Sequence, residues 1–516
     1  MTSPTLFNSF NLFNSFTLFN HFNHFNHFYH FYIALFLAMF ESAVSALNNL
    51  LERHLWAQQL AGILPLSALI DFVEVPQKVH VFELTGAVPL WSWPVTPAGS
   101  RLLLSDKYKQ KICCLDRYGS SAASIALDGR YGDQYLVINP ETVRFCLTSQ
   151  KPHVIKNLHE NMSGHDLRVQ NIEVVHVSRL KGRPERRPST SWFGRLFLDL
   201  WWMSSAKHLV VSTIGWIMMI GMIIMSGILE CYLSLAFLCA VSATGFVTFS
   251  LYGRTPRRLL VESTSNYNRV VVVAEHMNTI DWTVFYGEST IVNSLLNRPL
   301  EPLGPQMPPA TSSLLRMALR ILILGQWATA IGATALQDWN AYFITFWVAF
   351  CITTHSMLIP VSMEAKDWMK SVASIQMDRY QVQVSSRRAL LNTIIALNPD
   401  TFAWSQTEKN DDRTKLDKGA TRWVDSVLAP GPSRFTWEEA TRRAMKEAAE
   451  KYSIDELASS KWQDKEGDVL SPEWNNDFPS ERKNYWKPFI LEGIYMAAKI
   501  QKEANLSGRK IGSESV

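Results

Sequence analysis

The chain has 516 residues, enough for about three ordinary globular domains, with Lys+Arg 50 against Asp+Glu 46 and a net charge of +4. So small an excess excludes nucleic-acid binding through bulk positive charge, and six Cys exclude a disulfide-dense secreted scaffold. Charged residues are only 19% while apolar residues are 47%, so charge is withdrawn from particular stretches; 18 Trp and 27 Phe suit a chain that meets a bilayer boundary.

Residues 1–30 cycle Phe-Asn with Ser or His, a compositional bias with no packed core of its own. His21, His24, His27 and His30 fit an expanded repeat better than a metal site. No Lys or Arg precedes Arg53, which speaks against a secretory leader with a basic start. Residues 29–75 read as amphipathic or marginal membrane helices, because Phe31–Phe40 is apolar but short.

Residues 76–207 read as a soluble α/β or mostly β unit. Val79–Leu84, Ser100–Leu104 and Gln134–Ile138 are short strand-like runs punctuated by Pro and Gly, and Asn139-Pro-Glu opens a helix. Cys113 and Cys114 are adjacent, poor geometry for zinc, and read as packing thiols. The unit ends in a basic stretch, Arg179, Lys181, Arg183, Arg186, Arg187, Arg195 and Lys207 against Glu185 and Asp199, which reads as a charge anchor beside a membrane.

Two uncharged runs follow within residues 208–253. Leu209–Leu229 has 21 residues and Cys231–Gly253 has 23, separated by Glu230. About 20 apolar residues cross a hydrocarbon core, so the pair reads as a transmembrane hairpin. A second hairpin lies in 321–363. Ile321–Leu336 is short at 16 residues and carries Gln326, leaving an interfacial or re-entrant helix open, while Trp339–Met363 has 25 residues with His355 inside it. Residues 254–320 between the hairpins read as a cytoplasmic loop, and 364–516 as a cytoplasmic helical region. The predicted class is therefore an integral membrane, α-helical protein with two transmembrane hairpins, a cytoplasmic α/β or mostly β N-terminal unit and a helical C-terminal region.

Orientation follows from charge. Arg254, Arg257 and Arg258, Arg316 and Arg320, and Lys366 and Lys370 flank the outer ends of the runs, whereas Glu230 and Asp338 mark the turns. Lys and Arg stay cytoplasmic during insertion, so everything large is expected there. The sequons at Asn161 and Asn505 are then expected to carry no sugar. In the C-terminal region, Thr436-Trp-Glu-Glu439 and Ser453-Ile-Asp-Glu456 have capping-box form. Ser405–Lys418 reads as a polar loop.

One constellation carries a mechanism. Val270–Ala274 is a buried-strand pattern delivering His276 and, five residues on, Asp281. An imidazole beside a carboxylate is the general-base pair that deprotonates a hydroxyl. The pattern resembles the first motif of the glycerophosphate-type acyltransferases, and that resemblance implies His276 as catalytic base and Asp281 as its partner. The family's second, Phe-Pro-Glu-Gly-Thr-like motif has no counterpart, since Phe343–Ala349 at the matching distance is apolar. Phosphate loops, dinucleotide fingerprints, zinc-protease helices and nucleophile elbows are all missing, so no cofactor and no metal is expected.

Phe82–Pro94, Leu127–Leu136 and Trp282–Ser289 together resemble an uncharacterised family of fungal multi-pass membrane proteins, some encoded beside secondary-metabolite enzymes. The resemblance implies a protein of the endoplasmic reticulum or another endomembrane that assists a biosynthetic pathway, as a cofactor-independent cyclase or an accessory. Three classes stay open: that accessory, a membrane-bound acyltransferase, and a non-catalytic scaffold. Expected partners are the lipid bilayer and other membrane-bound pathway enzymes, not nucleic acid.

Overall fold

The computed structural model describes residues 41–42, 45–46, 49, 51–67, 75–86, 91, 112–118, 123–157, 168–180, 206–253, 256–261, 264–265, 267–302, 307–401, 421–459 and 483–506. The expectations for residues 1–30, Ser100–Leu104, Asn161, Lys181–Arg195 and Ser405–Lys418 lie outside these.

Nine strands are described: β1 (Ile125–Asp128), β2 (Gln134–Leu136), β3 (His153–Ile155), β4 (Gln170–Arg179), β5 (Arg257–Arg258), β6 (Asn268–Ala274), β7 (Asp281–Glu288), β8 (Glu301–Pro302) and β9 (Ile375–Val384). Seven form one sheet in the order β2-β1-β6-β7-β4-β9-β3, and β5 pairs with β8. Sequence order and sheet order disagree. The residues before the first hairpin supply β1 to β4, those between the hairpins supply β6 and β7, and those after the second supply β9. The loop expected at 254–320 is thus half of the sheet's centre, and the C-terminal region expected to be helical carries a ten-residue strand. The physical reason is pairing: β4 bonds in parallel to β7 and antiparallel to β9, so no segment can bury its strands alone.

The sheet is covered on both faces. Side chains alternate with period two, so Val270, Val272 and Ala274 face the core under helices Arg387–Leu397, Pro432–Lys451 and Lys483–Glu503. Val271 and Val273 face the core under Pro140–Thr148, Ser289–Asn297 and Val361–Ser371. A run of four valines is what a strand buried on both faces requires.

Four helices are long and apolar enough to cross a membrane: Lys207–Ile228, Tyr232–Gly253, Pro309–Leu336 and Trp339–Leu358. The third has 28 residues rather than 16, because Ala310–Arg320 continues the helix through Arg316 and Arg320. At 1.5 Å per residue it is about 42 Å long. The second and fourth finish in π-helical turns, Phe249–Gly253 and Thr354–Leu358, and Pro360 stops the fourth. The turns between the pairs are minimal, with Glu230 and Gln337 in the left-handed region at φ 57 and 53. They are bolted together, since Asn340 Oδ1 accepts from Ser234 N at 3.0 Å.

Two local expectations are corrected. Val79–Leu84 is not a strand but part of helix Val75–Thr85, started by Pro76 in the first turn and stopped by Gly86 at φ +69. Thr436 does not cap a helix; Pro432 starts that helix one turn earlier, and the Thr436 hydroxyl donates to Pro432 O at 3.1 Å. The second capping box is present, with Ser453 and Glu456 bonded reciprocally.

Candidate functional site: a buried charged collar

Helix Val75–Thr85 lies where the apolar helices meet the sheet. Lys78 to Thr85 are all buried, so this part of the helix has no solvent face and carries its ionisable side chains inward. Lys78 Nζ donates to Glu364 Oε2 at 3.0 Å and also to Ile359 O, just past the π-turn of the fourth apolar helix. Glu83 pairs with Arg257 of β5 at 3.5 Å, and Trp368 Nε1 donates to Arg257 O at 2.7 Å. Gly86 closes the collar. A Cβ there would stand 2.4 Å from Gly253 O at the end of the second apolar helix, so the contact needs glycine for both space and dihedral.

On the other flank His80 accepts from Leu115 N at its Nδ1 (3.2 Å). The neutral ring therefore carries its proton on Nε2, which donates to Thr142 Oγ1 at 2.9 Å. Thr142 donates in turn to Asp116 Oδ2 at 2.9 Å, and Glu141 N donates to Asp116 Oδ1 at 2.8 Å. The result is a closed relay from imidazole through hydroxyl to carboxylate.

Burial moves two carboxyls strongly. Asp116 is raised to about 7, against the opposing hydrogen bonds from Glu141 N and Thr142. Glu364 is also raised to about 7 by burial, although the Lys78 ammonium pulls it down. Glu364 Oε1 is buried and has no hydrogen-bond partner among the described residues. Removing a carboxylate from water favours its neutral form, which is the cause of both shifts.

The sequence-predicted pair is arranged differently. His276 and Asp281 sit at the two sides of the β6–β7 turn, both exposed. His276 Nδ1 accepts from Asn278 N at 3.2 Å, and Asp281 Oδ1 accepts from Asn171 Nδ2 at 2.7 Å. Among the described residues no hydrogen bond joins the two. A dyad carboxylate takes the Nδ1 proton, yet here Nδ1 is an acceptor. The pair also lies at the far end of the sheet. β9 begins at Ile375, four residues after helix Val361–Ser371, and that end of β9 is level with Glu288 rather than Asp281 through β4. Eight residues of β7 at about 3.3 Å each separate the pair from the collar end by about 25 Å.

The collar residues were missed because Val79-His-Val-Phe-Glu-Leu alternates like a strand. The available signal was the bracket of Pro76 and Gly86, a start and a stop ten residues apart. A second polar cluster is structural: Arg269 grips Asp128, Tyr267 donates to Asp400, and Asn398 Nδ2 donates to Gly129 O at 2.7 Å, tying the β1–β2 turn to the end of helix Arg387–Leu397.

Comparison with protein-family profiles, with curated proteins and with solved structures finds no match to this chain.

Proposed function

We propose that the chain is a multi-pass protein of an internal membrane that acts as a non-catalytic scaffold, holding one α/β domain at the cytoplasmic surface for membrane-bound enzymes of a biosynthetic pathway. The observation that carries this reading is the inverted sorting of the four apolar helices. Val210, Ile214, Ile217, Ile220 and Ile224 make an exposed stripe on the first, and Leu314, Met317, Ile321, Leu324 and Ile331 make one on the third. Ser226, Ser234, Thr244, Gln326 and Asn340 are buried between helices. Contiguous apolar stripes of this size suit lipid, not water, and inward polar groups are the glue of helices packed in lipid.

The interleaved sheet adds the scaffold part. Its centre is drawn from both sides of each hairpin, so bundle and domain hold one geometry. Relocating the chain to the mitochondrial outer membrane with a targeting sequence is the test. A scaffold drags its partner enzymes along, seen by co-fractionation, and the His276→Ala/Asp281→Asn variant does the same. Enzymes that stay behind, with an unchanged metabolite profile, end the reading.

A second reading, a cofactor-independent cyclase, is favoured by Asp116 and Glu364. Burial raises both carboxyls, the direction of shift that general acids use. Conversion of an apolar precursor by the purified chain in liposomes, abolished by Glu364→Gln, would replace the scaffold reading.

A further inference from the structure

The segment Leu51–Ser67 stands at the opposite end of the apolar bundle from the sheet. Tyr342 Oη, in the first turn of the fourth apolar helix, donates to Ala57 O at 2.8 Å. A Cβ on Gly62 would meet the Gln337 amide nitrogen at 2.8 Å, so the chain is pressed against the turn between the third and fourth helices. Ala61 packs in the same cluster as Ala333 and Ala341. Lys78, by contrast, bonds to Ile359 O. From Tyr342 to Ile359 the helix rises about 25 Å.

This segment has an amphipathic surface of unusual composition. Leu55–Ser67 contains no charged residue. Ala57, Ala61 and Pro65 are buried against the bundle, while Leu55, Trp56, Leu60 and Ile63 are 68%, 64%, 41% and 63% exposed. The outward side of the helix therefore carries its large apolar side chains, with exposed Gln59 beside them. The patch adjoins the bundle end where Tyr232, Ile331 and Leu336 are exposed as well. Leu, Ile and Trp facing outward beside a polar bundle turn is the composition of a helix lying in a bilayer interface.

We infer that Leu55–Ser67 is an interfacial anchor seated in the leaflet at the turn end of the bundle, across the membrane from the α/β domain. The inference rests on the membrane reading proposed above and adds to it a side: this segment does not share the compartment of the sheet. Its occupant is the lipid surface, because the patch continues the exposed apolar stripes of the spans.

Nitroxide labels in a Cys239→Ser background test it in liposomes. Labels are placed at Trp56→Cys and Leu60→Cys, at Ile220→Cys on the first apolar helix, and at exposed Glu439→Cys on the domain. Oxygen collision at 56 and 60 is expected to match 220 and to exceed 439 several-fold, with little collision with a nickel chelate. Water-like behaviour at 56 and 60 with lipid-like behaviour at 220 overturns the anchor and leaves the membrane reading standing. Water-like behaviour at 220 too overturns both. Labels shielded from oxygen and nickel alike indicate a covering protein, a second copy or another chain, and also overturn it. On sealed microsomes, an impermeant maleimide should label Glu439→Cys at once but Gln59→Cys only after permeabilisation; immediate labelling of both removes the opposite-side placement.

Discussion

The sheet domain and the apolar bundle use the same kinds of side chain in opposite ways. In the domain Val270, Val271 and Val272 are fully buried. In the bundle Ile217 and Leu324 are 65% and 62% exposed while Gln326 and Ser234 are fully buried. The first arrangement suits water, and the second is the one expected of helices packed in lipid. The collar sits between the two, and it buries two ion pairs: Lys78 with Glu364, and Glu83 with Arg257. Water hardly reaches these charges, so the partners must satisfy one another.

That contrast can be broken in several places. The largest effect is expected from Lys78→Met, which leaves Glu364 buried without its cation. Such a break costs about 3–5 kcal/mol, and a much smaller loss in thermal unfolding in detergent would mean the collar is wet. The double change Lys78→Met/Glu364→Leu should recover most of the loss.

Next comes pH. A carboxyl whose folded pKa is raised binds more protons folded than unfolded, so stability falls as pH rises through the window between the two values. For Asp116 that window runs from 3.8 to about 7, and at about 1.4 kcal/mol per unit the effect is at most ~4 kcal/mol. Melting temperature should therefore be lower at pH 8 than at pH 5, and Asp116→Asn should flatten the slope without abolishing it, because Glu364 contributes the rest. A rise in stability over that range would refute the burial of both groups.

Gly86→Ala should cost about 1–3 kcal/mol, from a left-handed dihedral and a carbonyl in the way, and should loosen domain from bundle in limited proteolysis. Gln326→Leu is smaller, about 0.6–1.7 kcal/mol, since it removes bonds to Thr244 Oγ1 and Ala240 O at 2.5 and 3.2 Å. Stabilisation instead would mean that this polar group is not packing glue. His276→Ala is expected to fall within about 0.5 kcal/mol of the parent, as exposed substitutions do. A larger loss in the same unfolding assay would show that His276 holds the β6–β7 turn.

How much was legible differs by element. The first pair of apolar helices was, because runs of 21 and 23 uncharged residues are long enough to cross a bilayer as helices, whereas the third was read as 16 residues and has 28. The strand at Val270–Ala274 was, since branched side chains on both faces fit a doubly covered sheet. Helix Val75–Thr85 was not, because burial on every side erases the polar stripe that marks helical period. The sheet order was not, since β4, β7 and β9 find each other across two hairpins and period says nothing about partners. The His276–Asp281 spacing was visible, but spacing fixes neither ring tautomer nor hydrogen-bond partner.

Composition along the chain thus determined where lipid-compatible helices lie and where charge is tolerated, because transfer free energy is a property of each residue and sums locally. The joining of three separated segments into one sheet, the burial of Lys78, Glu83, Asp116 and Glu364 beside the helix ends, and the seat of Leu51–Ser67 at the far turn were decided by tertiary structure alone. Those depend on which surfaces remain to be covered after local structure has formed, and that sum is taken over the whole molecule.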